Sequence, residues 1–182
     1  MTRPGQIRVL CAAICAAALA ALCALPAADA ADAGAPSLTW QQAAVRLHAP
    51  VYRPRVTVGI KPQTLVINQG GCLIGGWGST KTQKGPHFSI DEPGVTPQCG
   101  QPGEAVQVAT TMIHAKKVAV LVQCPHLPHC TAHDGETDGV FIMFVPEKGA
   151  RQYVIQLESS HLSLRNLERV ARSFVRVTPP RP

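Results

Sequence analysis

The chain has 182 residues and a formal net charge of +6, from 17 Lys+Arg against 11 Asp+Glu. Charged residues make up 15% and aromatics 4%, against about 25% charged in an ordinary soluble domain. These values exclude a coiled coil, an acidic disordered tail and a large multidomain enzyme, and they leave room for one domain with a real core.

Residues 1–30 read as a secretory signal peptide. Arg3 and Arg8 supply the positive start, Val9 to Leu25 the apolar run, and Pro26 the break. Ala28-Asp29-Ala30 then fits the small-x-small cleavage pattern, with a second option after Ala31-Asp32-Ala33. The competing reading is a membrane anchor. The run is at or just under the ~18–20 apolar residues a span needs, and no basic stop-transfer cluster follows it. Cys23 directly follows Leu22, a poor fit to a lipidation site. No other segment is long and apolar enough to span a membrane.

Cleavage near Ala30 removes Arg3, Arg8 and Asp29 and leaves 15 basic against 10 acidic residues. Lys116-Lys117 is the one basic doublet remaining, with no interleaved aromatics, so a nucleic-acid footprint is not expected. Cys11, Cys15 and Cys23 leave with the leader, and Cys72, Cys99, Cys124 and Cys130 remain. Four cysteines in an oxidising compartment predict two disulfides with three possible connectivities. Cys124–Cys130 is favoured because Pro-His-Leu-Pro-His between them is short and turn-forming. Cys72–Cys99 then closes a Gly/Pro-rich loop, each bridge contributing roughly 2–4 kcal/mol.

The expected architecture is a single α+β domain over 38–178, a mostly antiparallel sheet with a short N-terminal helix and a C-terminal amphipathic helix packed on it. Residues 31–37 are a flexible lead. Thr39 and Gln42 form a capping box, and Trp40, Ala44 and Leu47 share a face, predicting a helix over about 40–48. Val56, Val58 and Ile60 alternate with polar residues as a strand does. Leu65-Val66-Ile67 and Cys72-Leu73-Ile74 flank a Gly-Gly turn at 70–71. The glycines and prolines of 75–103 predict an irregular surface segment. Val106, Val108 and Met112 suggest a strand, His114–Lys117 a turn, and 118–122 and 140–145 buried-type strands. Glu147-Lys148-Gly149 reads as a hairpin turn leading to Tyr153, Ile155 and Leu157. Ser163 caps a final helix in which Leu164, Leu167, Val170, Ala171 and Phe174 recur at spacings of three and four.

Gln152 to Leu157, followed by Asn166-Leu167-Glu168-Arg169-Val170-Ala171-Arg172-Ser173-Phe174, resembles the end of PsbP/Mog1-like domains. The likeness covers about the last forty residues. It implies an antiparallel sheet flanked by helices and a non-catalytic binding or accessory role.

Several groups carry candidate chemistry. Cys124, His126, His129, Cys130 and His133 lie within ten residues and have ligand types suited to zinc or copper. Pairing of the two cysteines removes both thiolates, and Pro125 and Pro128 forbid one helix presenting all three histidines. A disulfide-closed polar loop is therefore the plainer reading, with metal binding by His126, His129 and His133 the alternative. Asp134, Glu136, Asp138 and Gly139 resemble the first half of an EF-hand, but Val145 stands where the bidentate Glu belongs. Gly75 to Thr82 imitates a phosphate loop, with Thr80 where Gly must precede Lys81. Trp77 reads either as an exposed aromatic anchor on a Gly loop or as a side chain packed over the sheet. Ser159-Ser160-His161 is expected at the start of the final helix, as capping. No nucleophile-elbow, Ser-x-x-Lys or His-Glu-x-x-His motif is present.

The expectation is an exported, periplasmic, non-catalytic binding protein of inhibitor, immunity or secretion-accessory type, without a cofactor. It would engage another protein of the cell envelope through the Gly/Pro-rich segment 75–103 and the Cys-His loop 124–138, with Trp77, Lys81, His126 and His129 as candidate contacts. The rivals are a Zn/Cu-binding protein using the loop histidines and a hydrolase without a recognisable motif.

Overall fold

Thr39 opens the first helix, α1 (Trp40–Leu47), as a complete capping box. Its hydroxyl accepts from Gln42 N–H at 3.2 Å while its own N–H donates to Gln42 Oε1 at 2.8 Å. This computed structural model describes residues 37–182 apart from 80–84, 93–98, 100–102, 147–153 and 181–182. The expected leader, the start of the lead, Lys81 and the turn at 147–149 lie outside the described residues. The chain divides into Met1–Ala35 and a compact unit, Pro36–Pro182.

After α1 the described elements are β1 (Val51–Pro54), β2 (Pro62–Ile67), β3 (Leu73–Trp77), β4 (His87–Glu92), β5 (Val106–Ile113) and β6 (Lys116–Gln123). Then come α2 (Ala132–Glu136), β7 (Val140–Pro146), β8 (Val154–Ser160), α3 (Leu164–Arg172) and β9 (Phe174–Val177). The fold is α+β and its sheets are antiparallel throughout. Seven strands run in the order β2-β3-β4-β8-β7-β6-β5, and β1 pairs with β9 in a separate ribbon. Two meanders, β2-β3-β4 and β5-β6-β7-β8, are thus joined where β4 meets β8.

One face of the seven-stranded sheet holds the main core. Phe88 and Ile90 of β4, Phe141, Met143 and Val145 of β7, and Ile155 and Leu157 of β8 are buried there with Leu167, Val170 and Ala171 of α3. Tyr52 and Phe174 bring the ribbon onto the same core. A second cluster joins Ala43, Ala44 and Leu47 of α1 to Val51, Leu65 and Leu73. Burying this much apolar area, at about 25 cal/mol per Å², is what fixes α1, α3 and the ribbon on one side. The opposite face carries no helix among the described residues. Phe144 of β7 and Met112 of β5 remain 36% and 50% exposed there.

Both expected disulfides are present, Cys72–Cys99 with Cα atoms 5.7 Å apart and Cys124–Cys130 at 5.9 Å. Ser163 caps α3 through its hydroxyl, which accepts from Asn166 N–H.

Expectations for residues 56–60, 75–103 and Phe174 need correction. Val56, Val58 and Ile60 do not form a strand. Val58 and Gly59 take left-handed backbone, φ 47° and 82°, in a turn closed by Ile60 N–H to Thr57 C=O at 2.9 Å. The preceding N–H groups are taken by the end of α3, Arg55 by the Ser173 carbonyl and Val56 by the Ser173 hydroxyl. The segment 75–103 is not irregular throughout, because β3 extends to Trp77 and β4 lies inside it. Gly75 belongs to the strand: a Cβ there would stand 3.1 Å from both the Trp77 ring and Ile90. Phe174 lies beyond α3, in β9.

Candidate functional site

The site is built outward from Cys124, which follows β6. The buried Cys124–Cys130 bridge is the floor of a loop in which Pro125, His126, Leu127, Pro128 and His129 are all exposed. Leu127, an apolar side chain, is 36% exposed at its centre. The two prolines prevent a helix here. The loop closes on itself through His129 N–H to His126 C=O at 2.8 Å, and His126 N–H points at Cys124 Sγ at 3.3 Å.

Immediately after the loop, Thr131 and Asp134 make a second capping box, and this starts α2. Asp134 Oδ2 accepts from both the N–H and the hydroxyl of Thr131, each at 2.7 Å. These bonds hold the Asp134 carboxyl below its ordinary value, the Thr131 hydroxyl contributing most, with smaller help from the charges of His126 and His133. Glu136 Oε1 accepts Leu164 N–H at 3.0 Å, so α2 also caps α3. Gly135 allows α2 to lie flush on β7, since a Cβ there would approach the Phe141 ring to 2.6 Å. Gly139 N–H bonds Asp134 C=O at 2.7 Å and returns the chain to β7. The loop is therefore anchored by its disulfide, by a capped helix and by a glycine contact with the core.

This geometry reassigns the acidic run. The carboxylates of Asp134 and Glu136 are engaged by backbone N–H groups and do not radiate round a common point as an EF-hand requires, while Asp138 lines a neighbouring cleft. His126 and His129 lie in the loop and His133 in the first turn of α2, all exposed. Among the described residues, no group of three or more His, Cys, Asp and Glu is arranged to hold a metal ion.

The cleft, of about 300 Å³, opens beside the end of α2. His87 and Ser89 of β4, Glu158 and Ser160 of β8, Asp138 and His161 line it. Ser159 and Ser160 thus end β8 instead of beginning the helix, and Ser163 is the cap.

Trp77 is not an exposed anchor. It is 4% exposed and stacks between Trp40 of α1, with centroids 6.2 Å apart, and Phe88 of β4, at 4.5 Å. Alternation along β3 turns Leu73, Gly75 and Trp77 to the core side, where the missing side chain of Gly75 makes room for the indole.

The sequence also concealed a polar group on the face opposite the main core. Ser89 and Asp91 of β4 pair across the ladder with Glu158 and Gln156 of β8. Gln156 Nε2 donates to Glu158 Oε1 at 2.5 Å. The Asp91 carboxyl is pushed above its ordinary value, chiefly by burial and secondly by the charge of Glu158. The alternation of β4, with Phe88 and Ile90 inward and Ser89 and Asp91 outward, was the available signal, masked by flanking glycines and prolines.

No family model, curated protein or solved structure matches this chain.

Proposed function

We propose that the protein is an exported binding protein of the cell envelope, of inhibitor, immunity or secretion-accessory type, that acts without catalysis by engaging another protein through the Cys124–Cys130 loop. The observation that carries this reading is the loop itself: five consecutive exposed side chains, including Leu127, stand on a buried disulfide braced by α2. Such an element loses little conformational freedom on binding, which favours affinity, and loops on rigid scaffolds commonly carry recognition. Two disulfides support an oxidising compartment, and no helix among the described residues is long and apolar enough to cross a membrane.

The test is affinity capture from the native cell envelope with wild type and with a His126→Ala/Leu127→Ala/His129→Ala variant. These side chains are exposed, so the variant keeps the wild-type melting temperature and loses the captured partner by tenfold or more. Equal capture by both proteins overturns the assignment to this loop.

A further inference from the structure

We propose that Asp91, Gln156 and Glu158, with Ser89, form a weak site for a hard divalent cation, calcium, on the sheet face opposite the main core. β4 and β8 are adjacent central strands, and in their register Asp91 faces Gln156 while Ser89 faces Glu158. Alternation places all four side chains on the side away from the main core, because Phe88 and Ile90 on β4 and Leu157 on β8 point inward.

The decisive atom is the side-chain oxygen of Gln156. The residue is only 3% exposed, and its Oε1 is enclosed with no hydrogen-bond partner. The amide cannot simply be reversed. Its Nε2 donates to Glu158 Oε1 at 2.5 Å, and exchanging the two ends would set two acceptor oxygens against each other. The carbonyl is therefore left as a buried acceptor without a partner, on the residue that pairs across the ladder with Asp91. A buried acceptor without a partner costs about 1–3 kcal/mol. No Lys, Arg or His among the described residues makes an ion pair with Asp91 or Glu158.

One positive charge that needs no hydrogen-bond geometry answers all of this together. Two carboxylates, an amide carbonyl and a hydroxyl are the ligand types calcium takes, with waters completing six to eight oxygens. Magnesium demands a stricter octahedron at shorter distances than cross-strand side chains readily supply. Glu158 is the charged group that acts on Asp91, and His87 lies on the same face of β4, four residues before Asp91, lining the cleft with Glu158. Having only two carboxylates places the site in the weak range of about 10⁻⁴–10⁻³ M, typical of extracellular modules.

The test is thermal unfolding of the mature, disulfide-intact protein at pH 7 in 5 mM CaCl₂, in EGTA, and in NaCl of equal ionic strength. Calcium raises the wild-type melting temperature by roughly 3 °C over both controls, and in NMR it shifts the Gln156 side-chain amide. Asp91→Asn and Glu158→Gln each relieve the repulsion between carboxylates, so both fold, and both lose the calcium response. Three results overturn the proposal: a wild type that responds no more to calcium than to NaCl, an unmoved Gln156 amide, or an Asp91→Asn protein that keeps the full shift. None of these outcomes depends on the protein partner.

Discussion

The fully buried carboxylate of Glu92 accepts the backbone N–H of Tyr52 with both oxygens, at 2.9 and 3.0 Å. Glu92 ends β4 in the seven-stranded sheet, and Tyr52 belongs to the β1-β9 ribbon, so this contact ties the two sheets together. Its worth lies in what its removal leaves behind. Glu92→Ala strands the Tyr52 N–H in the interior and lowers stability by about 3 kcal/mol, read from urea denaturation. Glu92→Gln keeps one acceptor oxygen and loses less than half as much.

Asp91 has the opposite character. Its folded-state value is raised, so between the unfolded value of about 3.9 and the raised native one the folded chain holds a proton that the unfolded chain has lost. Stability therefore falls as pH rises through that interval and stays lower above it. Asp91→Asn removes this descent. In calcium-free buffer the variant melts above wild type at pH 7, and the difference closes as the pH drops below the unfolded value. A constant difference at all pH values is the contrary result.

Asp134 is depressed by its bonds from Thr131, and its contribution is present above about pH 3.9 and lost as pH falls through the lower native value. Acidification should thus release α2 first. Hydrogen exchange of the α2 amides rises on the acid side in wild type, whereas Asp134→Ala shows the fast exchange already at pH 7.

The two disulfides differ in the length of chain they close, 6 and 27 residues of separation. On the chain-entropy account, Cys124→Ala/Cys130→Ala costs about 2 kcal/mol and Cys72→Ala/Cys99→Ala about 3.5 kcal/mol. Chemical denaturation of both double variants checks the order as well as the sizes. The first pair also frees the loop, so it weakens partner capture by more than its stability loss explains.

Gly135 offers a local test of how α2 is seated. A methyl group would stand 2.6 Å from the Phe141 ring, deep in the core. Gly135→Ala therefore lowers stability by about 1–3 kcal/mol through overpacking, although alanine is the better helix former. A neutral or stabilising result would show that α2 shifts freely on β7.

Local chemistry was legible residue by residue. Thr39 with Gln42 announced α1, Ser163 announced α3, and the strands around Gly70-Gly71 and His114-Ala115 followed from alternation and turn residues. Thr131-x-x-Asp134 carries the same capping signal for α2, obscured by the histidines and acids around it, whose side chains are also ligand types. The polar group at Asp91 and Gln156 was not legible, since its members lie 65 residues apart and only the β4–β8 register makes them neighbours.

By itself the sequence determined the α+β class, the strand pairs about Gly70-Gly71 and His114-Ala115 and the capped starts of α1 and α3, because each rests on interactions between residues near in the chain; of three disulfide connectivities it favoured one, and the structure holds that one. The tertiary structure decided the rest: that Trp77 is core, that 51–54 pairs with the C-terminus while 56–60 turns, and that Glu92 is buried. It also decided that Asp91 and Gln156 become cross-strand neighbours on the face opposite the main core. These depend on which distant strands meet, and a period-two pattern says that a strand has an inner face without saying what covers the outer one.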